Sequence, residues 1–279
     1  ENIKKYCPKA WVISYTNPMT LCIKALYRTF PEIKAFGCCH EVFGTQKVLV
    51  TALEEVCGIT GVSRDDIKVN PVSVNHFTWL TSAKYRNIDL FPYYARFCEE
   101  NKDGRPVNSD NNWMNNSFAS AARVRFDLFR RFGYVAAAGD RHLAEFCNSE
   151  WYLAYGNSVR EKWGFALTTV DWRKENLQER LDKSARLVAG EEQVELKPTG
   201  EEGILLIKAL CGLTRVVSNV NVPNTFGQIP NLPANAVVET NAVFGKNSIK
   251  PVIAGEIPEN VLALITPHTD NHERILDAV

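Results

Sequence analysis

Two side chains of metal-binding type, Cys39 and His76, stand 37 residues apart, each next to an apolar run that is typical of a strand. Cys39 lies in GCCHEVFGTQ (37–46) and His76 in SVNHFTWL (73–80). Thiolate and imidazole are good ligands for Mn, Fe, Co, Ni or Zn. If both strands end at one sheet edge, a single ion could bind both side chains and keep open positions for substrate oxygens and water. The pair therefore indicates a catalytic metal site rather than a structural one.

Each half of this pair is a weak signal by itself. Cys38, Cys39, His40 and Glu41 crowd at a predicted strand-to-helix junction, where a thiol is expected to have a lowered pKa. Two adjacent ligands rarely reach the same ion, so we expect one of these side chains to have another task. A lone histidine such as His76 is usually a hydrogen-bonded core residue, and only its combination with Cys39 favours a metal site.

Asn17 offers a second candidate position, in SYTNPMT (14–20). A polar side chain just beyond the carboxyl end of a parallel strand faces the crevice where α/β folds bind ligands. An asparagine there supplies both a donor and an acceptor. The alternative is that Asn17 only caps the helix that Pro18 opens.

The segment AAAGDRHLAEF (136–146) places three charged or titratable residues together, Asp140, Arg141 and His142. Asp140 could act as a base, and Arg141 could bind a carboxylate through two parallel hydrogen bonds. The alternative is an aspartate that caps the helix following it.

The elements that must position these residues begin as a parallel α/β unit. Strand and helix patterns alternate over 10–16, 18–30, 32–38 and 40–58, with Gly58 predicted to end the second helix. Strand-like alternation over 67–80 follows, in which Pro71 indicates an edge or a bulge. A domain boundary is predicted near residue 65, where the α/β rhythm ends.

The remainder of the chain is predicted to be mostly helical and then antiparallel. A long helical region covers roughly 88–190, broken by the polar loop 101–112 and by the AAAGDRH segment. The runs 214–223 and 236–244 are predicted as antiparallel strands, and 258–279 as a final helix.

Composition excludes several classes of protein. Lys+Arg and Asp+Glu both number 32, so no global positive field favours nucleic acid or an anionic membrane. No apolar run reaches 18 residues, and the N-terminus has no signal-peptide core. The eight scattered cysteines form no CxxC pair, which is typical of reduced thiols in a cytoplasmic protein.

Taken in order, TNPM, CCHEVFG, VNH and GDRH make the chain resemble glycoside hydrolase family 4, as do the later FGQIPNLPANAVVET and IAGEIP. The resemblance extends from residue 10 to the end. It implies an α/β protein in which residues 1–65 are the C-terminal part of a Rossmann-like NAD-binding domain. Residues 66–279 would form an α+β domain of the lactate/malate dehydrogenase-like type, holding substrate and metal and carrying the oligomer contacts.

The family resemblance implies a redox-elimination chemistry with NAD and a divalent metal, most typically Mn²⁺. NAD⁺ oxidises C3 of the sugar, which acidifies the C2 proton for removal by a base. The metal stabilises the enediolate, the C1–O bond breaks by elimination, and the steps then reverse with water. This family is an exception to the scheme of two carboxylates.

The resemblance also implies a role for each candidate residue. Cys39 and His76 match the metal ligands. Asn17 matches the substrate-binding asparagine beside the nicotinamide, and Asn75 is expected to face the substrate. Roles for the remaining positions are a base at Asp140, an acid at His40 and a carboxylate clamp at Arg141 or His142.

The CHE triplet resembles the branch that cleaves α-glucuronides or α-galacturonides, so the expected substrate is a small saccharide of that class. Two alternatives remain open: a lactate/malate-type NAD-dependent dehydrogenase, and a non-catalytic remnant lacking the cofactor half. The chain contains no GxGxxG phosphate-binding turn. Because it begins with Glu1 and ends within HERILDAV, we expect it to be truncated at both ends. The long helical stretches 117–132 and 159–190 favour a homodimer or homotetramer.

Overall fold

The computed structural model describes residues 1–106, 120–154, 158–194 and 201–279, and they build two β-sheets covered by helices. The strands are β1 Trp11–Ser14, β2 Lys34–Gly37, β3 Ile67–Val72, β4 Trp79–Tyr85, β5 Ile88–Asp89, β6 Val135–Ala136, β7 Val216–Pro223, β8 Val237–Gly245 and β9 Ser248–Pro251. The first sheet has five strands in the order β1-β2-β7-β8-β9, and the second is built on β3-β4-β5, with β6 beside β4.

The N-terminal unit has the predicted parallel α/β arrangement. Strands β1 and β2 pair in parallel, and the helix Met19–Thr29 connects them. This helix packs through its apolar face, and the Tyr27 hydroxyl donates to the carbonyl oxygen of Ala35 at 2.7 Å. The next helix, Glu41–Cys57, ends at Gly58, whose φ of 68° is easily adopted without a side chain.

The later strands complete the same sheet from the other end of the chain. β7 pairs antiparallel with β2 at Gly37 and Asn221, and β8 and β9 continue antiparallel. The sequence predicted β7 and β8 and missed β9. The sheet thus contains strands from both sides of the boundary predicted near residue 65, and that boundary stays a prediction.

In the second sheet, β3 and β4 pair antiparallel with an irregularity between Asn70 and Pro71. The bulge predicted at Pro71 is confirmed, and its cause is the missing N–H of proline. The strand-like alternation expected over 67–80 belongs to two strands, because residues 73–78 leave the strand conformation and return the chain antiparallel along β4.

The helical region expected over 88–190 is a series of separate helices, because short loops and β6 interrupt it. The helices of the described chain are Asn2–Tyr6, Met19–Thr29, Glu41–Cys57, Phe91–Glu100, Arg123–Phe132, Asp140–Phe146, Ser149–Tyr152, Val159–Trp163, Val170–Ala189, Gly203–Leu210 and Glu259–Asp277. Residues 107–112 of the predicted loop and 117–119 of a predicted helix lie outside the described residues.

The two sheets meet through backbone and side-chain hydrogen bonds around β8. The Glu239 N–H donates to the carbonyl oxygen of Ser73 at 2.8 Å, and the Asn241 amide donates to the carbonyl oxygen of Val69 at 2.8 Å. This contact brings the loop 73–78 of the second sheet against the first sheet. Within the described ranges, no helix is both long and apolar enough to traverse a lipid bilayer.

Candidate metal and active site

Cys39 lies between the end of β2 and the start of the helix Glu41–Cys57, and it is buried. Burial raises the pKa of its thiol well above the ordinary value, and the negative charges of Glu239 and Glu41 raise it further. The amide of Asn75 lies beside the thiol and acts in the opposite direction. The lowered pKa expected for a thiol at a helix start is therefore wrong for Cys39 when no cation is bound. Desolvation by burial raises the pKa more than the start of the helix lowers it.

His76 lies in the loop that joins β3 to β4, and its backbone is in the left-handed region with φ of 65°. Ser73 in the same loop has φ of 114°. Such conformations are uncommon for residues other than glycine and occur preferentially at functional sites. The backbone of the loop thus places the His76 ring in a direction that a regular strand would not give.

The imidazole rings of His76 and His142 stack, with centroids 4.1 Å apart and planes 4° from parallel. His142 belongs to the helix Asp140–Phe146, so the stack joins this helix to the β3–β4 loop. Burial and, to a smaller extent, the charge of His142 lower the pKa of His76 to about 4, while Glu41 opposes the shift. The predicted residues His76 and His142 are therefore brought together.

Glu41 links both segments, although the sequence assigned it no task. One carboxylate oxygen is 3.0 Å from Nδ1 of His142, and the other accepts the N–H of Gly139 at 2.8 Å. Burial acts to raise the pKa of Glu41, but the hydrogen bond from His142 and the positive charge available to His142, His76 and His40 outweigh it, and the pKa falls to about 2.

Glu239 is a second residue that the sequence analysis missed. It is fully buried on β8, where it accepts hydrogen bonds from Asn219 Nδ2 at 2.7 Å and Thr78 Oγ1 at 2.5 Å. The same Asn219 amide donates to the carbonyl oxygen of Cys39 at 3.2 Å. Burial raises the pKa of Glu239. A charged residue inside the apolar run VVETNAVF was the available signal.

Asp140 is buried and is the first residue of its helix, while the N-cap position belongs to Gly139. Its Oδ1 accepts the N–H of Arg125 at 3.1 Å, so it caps the start of the helix Arg123–Phe132 and not its own. Oδ2 has no hydrogen-bond partner among the described residues. Burial raises the pKa of Asp140 to about 6 against the charge of Arg125.

Arg141 is buried beside the histidine pair. Its Nε lies 3.5 Å from the Glu145 carboxylate, one terminal nitrogen donates to Thr168 at 3.4 Å, and the other lies 3.4 Å from Nε2 of His142. These long contacts hold the guanidinium next to the stacked rings, in a position suited to receive an anion from the site.

His40 and Asn17 occupy other parts of the sheet edge. Nδ1 of His40 lies 3.0 Å from the Glu201 carboxylate, and its side chain is 45% exposed. Asn17 is exposed, and its Oδ1 accepts the Met19 N–H at 3.3 Å, while the N-cap position of that helix belongs to Pro18. The ends of β1 and β2 lie side by side, since Cys38 N–H donates to Ser14 at 3.0 Å.

The donor set fits a divalent ion with open coordination positions. No group of three or more His, Cys, Asp or Glu side chains suited to one ion occurs in the described ranges. Cys39 and His76 remain as the two residues of ligand type, and the Asn75 amide lies beside the Cys39 thiol and the Glu239 carboxylate. A buried thiol and an imidazole suit a divalent ion that keeps open positions for water and substrate.

A cavity of about 660 Å³ lies elsewhere, lined among others by Trp11, Tyr27 and Val222. None of the eight predicted site residues lines it. The candidate site is assigned from the types of its residues and lies at the junction of the two sheets. The cavity is a separate feature.

Comparison with known proteins decides the family. The model for the family 4 glycosyl hydrolase C-terminal domain matches residues 72–279, and the model for family 4 glycosyl hydrolase matches residues 1–55. The chain belongs to glycosyl hydrolase family 4. The predicted family is therefore confirmed, and the dehydrogenase alternative is not supported.

Family 4 relatives cover nearly all of this chain. An alpha-galacturonidase of Lachnoclostridium phytofermentans is 60% identical over 99% of this chain and 59% of the relative. An alpha-galacturonidase of Bacillus subtilis is 45% identical over 99% of this chain and 60% of the relative. The chain thus spans about 60% of the length of these curated relatives.

Solved structures confirm the predicted α/β fold class. A crystal structure of the Bacillus subtilis protein lplD, described as a glucosidase, superposes with a TM-score of 0.88 at 45% identity, covering 99% of this chain and 62% of that one. A 6-phospho-alpha-glucosidase from gut microorganisms, in complex with NAD and Mn²⁺, has a TM-score of 0.72 at 21% identity, covering 99% and 60%.

Proposed function

We propose that a protein containing this chain hydrolyses an α-linked galacturonide with the help of NAD and a divalent metal ion. Two observations support the proposal: Asn75 lies beside the Cys39 thiol, and the next residue, His76, stacks on His142. Family membership supports the reaction type. The relatives named alpha-galacturonidase, 45–60% identical, favour galacturonide over glucuronide.

We infer that Cys39 and His76 bind the ion. When bound, the ion would supply Lewis acidity at the sugar hydroxyl groups, and NAD⁺ would accept and return the hydride. Among proteins of the same fold, one was crystallised with NAD and Mn²⁺, which supports these two groups and makes Mn²⁺ the first ion to test.

The remaining roles belong to residues around the ion site. Asp140 is proposed to remove the C2 proton, since a carboxylate with a pKa of about 6 is a suitable base near neutral pH. His40 is proposed to protonate the leaving oxygen. Asn17 and Asn75 are proposed to bind sugar hydroxyl groups, with Asn17 beside the nicotinamide.

A uronate requires a positive clamp, and Arg141 is the proposed one, with His142 beside it. The guanidinium can form two parallel hydrogen bonds to a carboxylate. Its position beside the His76–His142 stack supports this role, because His76 is the proposed ion ligand.

The test is hydrolysis of an aryl α-galacturonide in D₂O with NAD⁺ and Mn²⁺. We expect deuterium at C2 of the released sugar, because the C2 proton is removed and replaced. We also expect EDTA to abolish activity and Mn²⁺ to restore it. Release without deuterium would indicate the scheme of two carboxylates, which leaves C2 untouched. No release under any condition would favour the non-catalytic alternative.

We also propose a cytoplasmic homo-oligomer without nucleic-acid or membrane partners. Support for assembly comes from the helix Val170–Ala189, which buries none of its residues and leaves Leu177, Leu181 and Val188 more than half exposed. Light scattering of the purified protein measures the oligomeric state, and a monomer at all concentrations would exclude the assembly.

A further inference from the structure

Glu41 connects three segments that are distant in the chain. It begins the helix Glu41–Cys57, it accepts the N–H of Gly139, and it lies 3.0 Å from Nδ1 of His142. Its two carboxylate oxygens are therefore used by two different partners. This arrangement fixes both the position of the Asp140–Phe146 helix start and the rotation of the His142 ring.

The orientation of the His142 ring is passed to His76 by contact. The two rings are parallel within 4° at a centroid distance of 4.1 Å, which leaves little room for one ring to rotate unless the other does. The carboxylate of Glu41 thus sets the plane of His142, and that plane limits the plane of His76.

We propose that Glu41 is a positioning residue that orients His76 as a metal ligand through His142. The inference rests on the proposed function, because it assigns Glu41 a role toward the ion that Cys39 and His76 would bind. A ligating histidine is ordinarily oriented by a hydrogen bond from its own second nitrogen. Here the carboxylate acts one ring away, by a hydrogen bond to a stacked imidazole.

A purely structural role for Glu41 makes a different prediction. If the carboxylate only tied the helix start through Gly139, an amide oxygen would do the same, and Glu41→Gln would leave metal binding unchanged. Gln keeps an acceptor for the Gly139 N–H, but its amide nitrogen can only donate to Nδ1 of His142, so this variant reverses the direction of the second hydrogen bond. His142→Phe removes that hydrogen bond altogether, and the two variants together separate the Gly139 contact from the His142 contact.

The experiment is a cobalt titration followed by visible absorption, with four proteins and one control. Co²⁺ bound to a thiolate has an intense sulfur-to-metal band, so wild-type protein reports both affinity and ligand geometry. The variants are Glu41→Gln, His142→Phe and their double variant, and Glu54→Gln removes a carboxylate further along the same helix as the control. Phenylalanine keeps a flat ring against His76 but cannot bond to Glu41.

We expect each single variant to weaken Co²⁺ binding about 10-fold to 100-fold and to alter the band, as loss of outer-shell partners does at other sites. The double variant should be no worse than His142→Phe alone, because Glu41 acts through His142. Glu54→Gln should match wild type. Circular dichroism checks that each variant is folded, and His142→Phe alone keeps the test valid if Glu41→Gln does not fold.

Three outcomes contradict a specific part of the account. Wild-type affinity and spectrum in both Glu41→Gln and His142→Phe would overturn the positioning role. Additive losses in the double variant would show that Glu41 acts independently of His142, which overturns it as well. Absence of the sulfur-to-metal band in wild-type protein would instead refute the metal site of the proposed function.

Discussion

The rings of His76 and His142 lie face to face, 4.1 Å apart, although 66 residues separate them in the chain. His76 comes from a strained loop between two strands, and His142 from a helix whose start is bound by Glu41. The stack therefore joins the proposed metal ligand to the segment that carries the proposed base and clamp. Substitutions in either segment should therefore change the binding of the ion.

Arg141→Ala should lower kcat/KM for an α-galacturonide by at least about tenfold more than for the matching neutral α-galactoside. The reason is the loss of charge-assisted hydrogen bonds to the substrate carboxylate, which only the uronide possesses. Steady-state kinetics on the two substrates measures the difference. Arg180→Ala, on the exposed helix Val170–Ala189, is the control, and an equal loss on both substrates would reject the clamp.

Asp140→Asn should change the dependence of stability on pH. The folded pKa of Asp140 is about 6, above its ordinary 3.8, so the folded state keeps this proton longer than the unfolded state does. The contribution of Asp140 to the free energy of unfolding is most favourable below about pH 4, and it is lost as the pH rises through about 6. Asparagine has no proton to lose and still offers an oxygen to the Arg125 N–H.

Urea unfolding at several pH values checks this prediction. Relative to wild type, Asp140→Asn should gain up to roughly 3 kcal/mol in free energy of unfolding between pH 4 and pH 7. The exposed residue Asp270, changed to Asn, serves as the control. A difference between Asp140→Asn and wild type that stays constant with pH would contradict the raised pKa.

Glu239→Ala should destabilise the protein by about 3 kcal/mol or more, because Thr78 and Asn219 would lose a buried charged acceptor. Glu239→Gln should cost less, since the amide oxygen can still accept from Asn219. Thermal or urea unfolding measures both. Ala at the exposed residue Glu256 should change stability by less than about 0.5 kcal/mol. Equal effects of Ala and Gln at 239 would show that the hydrogen bonds of the carboxylate contribute little.

The regular parts of the fold were predictable because their patterns are local. Helix Glu41–Cys57 carries apolar spacing and a terminal glycine, and the strand–helix alternation before it implies a parallel pair. Asn75 and His76 interrupt the apolar strand pattern in the sequence, but the return of the chain along β4 was not predictable from periodicity, since tertiary contacts such as the hydrogen bond from the Glu239 N–H to the carbonyl oxygen of Ser73 accompany it. Strand β9 was missed because SIKP has too few apolar residues to stand out.

In the candidate site, too, local features were predictable from the sequence and tertiary contacts were not. Residue type and spacing selected Cys39, His76 and His142, and the structure places the two histidines in contact. Glu41 is part of the CHE motif, but its partners Gly139 and His142 lie about 100 residues away in the chain. No local sequence pattern predicts a contact of this kind. Likewise, the contact of Asp140 with the helix Arg123–Phe132 is tertiary, whereas the sequence suggested a base or a cap for its own helix.

X-ray absorption spectroscopy of the zinc-loaded protein tests the shared ion most directly. Zn²⁺ stands in for the native ion because its ligand distances are well defined. We predict one sulfur neighbour at about 2.3 Å together with nitrogen at about 2.0–2.1 Å. The sulfur signal should vanish in Cys39→Ser, and the imidazole signal should vanish in His76→Ala. A spectrum with only oxygen and nitrogen neighbours in the wild-type protein, or one unchanged by both substitutions, would contradict the shared site.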